Sequence, residues 1–191
     1  MYKRQHLLPN ESIFVQPNTE HGHEIAWLRG ARLISSNDAL NAPEELKTWL
    51  HLTTSVTKKL QQTFLTKPGL KLLDERLEQG NPWERKILLT EQDVFARHIA
   101  LTIEEEPIVL ARSVTTLGRG MDALTKLNTR PLAELLFEEP QWKRQSVTRY
   151  LALQDGAQGR GCVWHNRDSG IVLIVQEFFL DSLFTKIRSA V

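Results

Sequence analysis

The chain has 191 residues, a formal net charge of +1, and 41% hydrophobic against 25% charged residues. That is the balance of an ordinary globular protein, and it excludes a chain that is mainly disordered. With 24 Lys and Arg against 23 Asp and Glu, there is no whole-molecule field for nucleic acid or anionic lipid. The single cysteine, Cys162, excludes an internal disulfide framework and a multi-cysteine zinc site.

Residues 1–40 read as an irregular arm, with Pro9, Pro17, Gly22 and Gly30 scattered among polar residues. Lys3 and Arg4 have no apolar stretch behind them. The longest apolar run is Ile171 to Val175, far short of the roughly 20 residues that span a bilayer. A soluble, cytoplasmic protein without membrane insertion is expected. Glu20-His21-Gly22-His23-Glu24 has metal-ligand residue types, but zinc needs three or four convergent ligands, and no metal is expected.

A helix is predicted from Asn41, which would cap it, with Pro43 in the first turn and Glu44 closing a capping box. A second is predicted from Ser55, with Val56, Leu60 and Phe64 four residues apart. Leu70–Leu77 reads as a strand. Between Val94 and Thr115, Phe95, Ile99, Leu101 and Ile103 alternate, Glu104-Glu105-Glu106 make a charged turn, and Ile108, Leu110 and Val114 return. That is a hairpin. Met121–Leu127 reads as a helix, Asn128–Arg130 as a turn, and Pro131 opens a helix ending near Phe137. Trp142–Leu153 and Ile171–Leu180 read as strands with a Gly-rich loop, Gly156–Gly161, between them. Strands joined by hairpins rather than helical crossovers give an α+β domain over residues 41–191, one antiparallel sheet with helices packed on it.

Two charged residues stand out on apolar faces. Arg97 shares a strand face with Phe95, Ile99, Leu101 and Ile103, and a buried guanidinium needs an anionic partner, internal or bound. Glu177 follows Ile171, Leu173 and Val175 on the last strand, whose other face is equally apolar. It reads either as half of an ion pair, with Arg97 a candidate partner, or as a grip on a small molecule. The amides of Val56 and Leu132, just inside two predicted helices, are either solvated or capped, or free to receive an oxyanion.

Laid out in order, these residues resemble the chorismate pyruvate-lyases. The likeness rests on Trp49-Leu50, Ser55-Val56-Thr57-Lys58, Arg97-His98-Ile99-Ala100-Leu101, Glu106-Pro107, Ala111-Arg112-Ser113, Lys126-Leu127, Thr129-Arg130-Pro131-Leu132 with Phe137, and Glu177-Phe178-Phe179-Leu180. Arg85-Lys86-Ile87-Leu88-Leu89 competes with Arg97 for the place of the family's substrate-binding arginine, but only from Arg97 do the Glu-Pro turn and Arg112 follow without a gap. The chain departs from the family at Gly161-Cys162-Val163, where a basic stretch is usual, at Ala133 and at Asp181.

The resemblance implies a cofactor-free, monomeric lyase that converts chorismate to 4-hydroxybenzoate and pyruvate, the first committed step toward ubiquinone. It implies that Arg97 binds the ring carboxylate with the Leu132 amide. Glu177 would meet the ring hydroxyl near the backbone at Val56, and Arg112 would sit at the pocket's approach. Arg97 and Glu177 would carry catalysis. The alternative is a non-catalytic domain that senses a small aromatic acid on the same fold, as in some transcription regulators. The forty residues ahead of the domain are too few for a helix-turn-helix.

Overall fold

The computed structural model describes residues 28–145 and 148–190. In chain order its elements are β1 (Arg32–Leu33), α1 (Ser36–Leu40), α2 (Glu44–Leu50), α3 (Val56–Phe64), β2 (Gly69–Glu78), α4 (Pro82–Leu88), β3 (Val94–Ile103), β4 (Glu106–Thr115), α5 (Arg119–Thr125), α6 (Leu132–Glu138), β5 (Trp142–Arg144), β6 (Arg149–Ala152), β7 (Gln158–Asn166), β8 (Val172–Phe179) and α7 (Asp181–Ser189). The strands form one antiparallel sheet in the order β1-β6-β7-β8-β4-β3-β2, with β5 also pairing β7. The predicted α+β architecture is the one observed.

The β3–β4 hairpin forms as the alternation predicts. Its tight turn is Glu104-Glu105, both at positive φ (51° and 67°), the conformation that matches strand twist. Register across β3, β4, β8 and β7 puts Arg97, Ser113, Val175 and Cys162 in one row, and Ile99, Ala111, Glu177 and Arg160 in the next. These rows lie on one face. Over that face, Trp49, Leu50, Val56, Leu60 and Leu183 pack on Leu101, Val109 and Phe179. Leu124, Leu132 and Leu136 pack on Phe95, Cys162 and Trp164. The reverse face is covered by Leu28 and by α4, through Trp83 and Leu88.

Several expectations are corrected. Asn41 caps nothing at α2: it is the C-cap residue that follows α1, in helical conformation, and Pro43 precedes α2 without a side-chain cap. The capping box belongs instead to Ser35 and Asp38 at α1. Of the expected irregular arm, residues 28–40 contain β1 and α1, with Leu28 and Ala39 fully buried. Residues 1–27, including the His21/His23 stretch, lie outside the described residues. The stretch Trp142–Leu153 is two strands, β5 and β6, both paired with β7. The Gly-rich loop ends before Gln158, and Gly159 and Gly161 lie inside β7. They mark close packing rather than a turn. A Cβ on Gly159 would strike the backbone oxygen of Glu177, and one on Gly161 would lie 2.5 Å from the Trp83 ring.

The helices α4 and α7 were not anticipated. α4 carries clear signals, with Asn81 and Glu84 forming a capping box and Pro82 at its first position. It also places Arg85 on a helix, paired with exposed Glu91 at 3.1 Å, so of the two arginines only Arg97 lies on a strand.

Candidate active site

The second row of the sheet face floors an apolar cavity. Ile99, Ala111, Glu177 and Arg160 lie beneath it, Val56 and Leu132 bound it at the starts of α3 and α6, and Trp164 and Phe137 form a wall. The small side chains of Ala111 and Ser113 leave the space open. Ser55 caps α3 by accepting from the Lys58 amide at 3.2 Å, and Pro131 precedes α6. Both helices therefore point their positive ends at the cavity.

Glu177 accepts a hydrogen bond from Arg160 Nε at 2.9 Å, its register neighbour on β7. Arg160 is almost fully buried. Burial works against its charge, but its surroundings, Glu177 foremost, hold its pKa above the usual value. Arg160 also donates to the Leu52 carbonyl, which Arg144 approaches at 3.4 Å. Two arginines thus pin the loop that leads into α3. Cys162, also in the lining, has its thiol pKa pushed up by burial, against the pull of Arg160. It stays a protonated, inert group.

Arg97 is 2% exposed, on the cavity's face but outside its lining. Its Nη1 donates to Glu75 Oε1 at 2.7 Å and to the Leu124 carbonyl at 3.2 Å, and its Nη2 to the Asn128 carbonyl. Burial lowers its pKa, with Glu75 recovering part. Burial likewise raises the pKa of Glu75, against the pull of Arg97. The ion pair foreseen for each apolar-face charge therefore exists, but with other partners: Arg97 with Glu75, and Glu177 with Arg160.

Arg112 is not brought to this cavity. Alternation turns it to the reverse face, where it donates to Glu84 through Nε at 2.7 Å and Nη2 at 2.9 Å and also meets Glu78 and His98. Of the residues marked in the sequence, Glu177, Val56 and Leu132 share the cavity, Arg97 borders it through its register partner Ser113, and Arg112 braces α4 from behind.

The profile of the chorismate lyase family matches residues 23–189. The chain belongs to the chorismate lyase family. The chorismate pyruvate-lyase of Pectobacterium carotovorum is 30% identical over 154 residues, 72% of this chain and 78% of that one. A protein of Marinobacter nauticus named as a probable chorismate pyruvate-lyase is 33% identical over 145 residues, 71% of this chain and 76% of its own. Another so named, from Thiobacillus denitrificans, is 28% identical over 166 residues, 77% and 88% of the two chains. Among solved structures, the ligand-binding domain assigned to a GntR-family regulator of Bordetella bronchiseptica superposes with a TM-score of 0.42 at 12% identity, covering 60% of this chain and 86% of that one. That likeness is too loose to bear on function.

Within this chorismate lyase fold, sequence reasoning missed Arg144 and Arg160. Arg160 sat in a segment read as a loop, and only the pairing of β7 with β8 places it opposite Glu177. The signal that was available is the Gly159-Arg160-Gly161 alternation. Two glycines flanking one long side chain suit a strand packed tightly on one face and functional on the other.

Proposed function

We propose that this protein converts chorismate to 4-hydroxybenzoate and pyruvate, which would place it at the first committed step toward ubiquinone. The observation that carries the proposal is the apolar cavity under two helix N-termini, with the Glu177–Arg160 pair in its floor. Glu177 meets the ring hydroxyl near the Val56 backbone, and Arg97 anchors the ring carboxylate with the Leu132 amide. Arg97 and Glu177 are two strands and two residues apart on one face, roughly 10–12 Å between Cα atoms at ordinary sheet spacings. Two long side chains reaching inward bring such a span down to that of one substituted ring. Arg97 already donates three of its five N–H groups, to Glu75, Leu124 and Asn128, which leaves Nε–H and the second Nη2–H for the ligand.

The reaction needs orientation and support for departing charge more than a strong reagent, since forming the aromatic ring drives it. Chorismate incubated with the purified protein should yield 4-hydroxybenzoate and pyruvate in equal amounts. Binding of 4-hydroxybenzoate without turnover would instead favour a sensing domain. Glu177→Gln keeps the shape of the side chain but removes its charge. Its turnover should fall by about 10²-fold or more, beyond what the lower melting temperature expected from leaving buried Arg160 without its carboxylate explains, and an active Gln variant would reduce Glu177 to a wall of the pocket.

A further inference from the structure

The cavity holds more positive charge than negative. Its lining contains two guanidiniums, Arg144 and Arg160, against one carboxylate, Glu177. Arg160 is paired with Glu177. Arg144, at the end of β5, makes its one side-chain hydrogen bond among the described residues to the Leu52 carbonyl. Most of the remaining wall is apolar, including Val56, Ile99, Leu101, Leu136 and Val175. A guanidinium beside such a wall is best stabilised by an anion that arrives with the ligand.

We propose that Arg160 and Arg144 form a second anion subsite, which takes the carboxylate of the enolpyruvyl side chain of chorismate. This rests on the lyase reading. The substrate is a dianion whose enolpyruvyl ether is attached to the ring carbon next to the one bearing the hydroxyl. A hydroxyl held at Glu177 therefore brings the enolpyruvyl group beside the register neighbour of Glu177, which is Arg160. The ring carboxylate lies at the other end, toward Arg97, so the two anionic groups meet different arginines.

In the elimination, the hydroxyl-bearing carbon loses its proton and that C–H electron pair becomes the new ring double bond. The neighbouring C–O bond breaks with its pair on oxygen, giving the enolate of pyruvate, which takes a proton at its methylene carbon. Product acid and pyruvate together contain every atom of the substrate. A fixed guanidinium at the enolate's carboxylate supports the charge as it builds. Because Arg160 also holds the Leu52 carbonyl, filling the subsite couples to the loop that presents the Val56 amide.

The test compares a ligand that has the enolpyruvyl group with one that lacks it, on the full chain. For Arg144→Gln, kcat/KM for chorismate should fall by about 10- to 100-fold, the loss expected for one charged hydrogen bond. The Kd of 4-hydroxybenzoate, read by calorimetry, should stay within about twofold. Arg160→Lys retains charge without the planar fork and should show the same preferential loss on chorismate. Should Arg160→Lys melt early, Arg144→Gln decides, since Arg144 is only half-buried. Parallel loss on both ligands would make the two arginines a structural brace and overturn the subsite, as would no loss on either. A wild-type protein that binds 4-hydroxybenzoate but leaves chorismate intact overturns the lyase reading itself, and the subsite with it.

Discussion

Arg97 carries its charge into the interior with three acceptors already in place, one carboxylate and two carbonyls. A lysine there keeps the charge but has no planar fork to span ligand and protein acceptors together. Arg97→Lys should weaken 4-hydroxybenzoate binding by about 1.5–3 kcal/mol. Arg85→Lys, on a helix and paired with exposed Glu91, should change it by less than about 0.5 kcal/mol. Calorimetric titration of both variants checks this, and the reverse order of effects would sink the placement of Arg97.

On the reverse face His98 is fully buried beside Arg112. Burial first, then Arg112, Arg29 and Arg76, push its pKa from 6.5 down to about 2. The unfolded chain thus binds a proton below pH 6.5 that the folded chain refuses until about 2. The stability that neutral His98 secures is complete above that window and is lost as pH falls through it. His98→Asn should therefore flatten the acid limb of urea-unfolding stability by roughly one proton per molecule between about pH 6 and 4. An unchanged slope would mean that other groups set the acid limit.

At the scale of elements, the approach of β7 to β8 decides whether the Glu177–Arg160 pair exists. Gly159→Ala puts a methyl against the Glu177 backbone oxygen and the Phe178 ring, and overpacking of this kind costs about 1–3 kcal/mol. It should also cut turnover, because the strands that carry Glu177 and Arg160 must separate. A Gly159→Ala protein with wild-type melting and kinetics would show that the strands can slip past the methyl. The same strand shows what was legible beforehand. The β3–β4 hairpin announced itself because its alternation is local and its faces differ. β7 did not, because glycines that serve close packing look like glycines that serve a turn, and nothing local tells them apart. Glu177 and Arg97 were visible as charges on apolar faces, but their partners Arg160 and Glu75 lie on neighbouring strands. Arg112 was misplaced for the converse reason: its motif neighbours are near in sequence, while alternation sends its side chain through the sheet.

For the whole molecule, the charge inside the cavity argues against a resident cation. Two guanidiniums face one carboxylate there, and a divalent ion would meet repulsion before it met ligands. Dialysis against a strong chelator should leave turnover of chorismate unchanged, and a loss restored by one specific divalent ion would contradict this. The sheet order has a further consequence for how the molecule comes into being. β8 lies between β4 and β7, so the strand bridging the two halves of the sheet is synthesised after all the other described strands. Until Val172–Phe179 emerges, the β2–β3–β4 meander and the β5–β6–β7 group have no shared hydrogen bonds, and each leaves a strand edge open. A nascent chain halted short of that segment holds Arg97 on one side, Arg144 and Arg160 on the other, and a floor on neither. Closure of the sheet, formation of the cavity and protection from edge-to-edge association are thus a single late event.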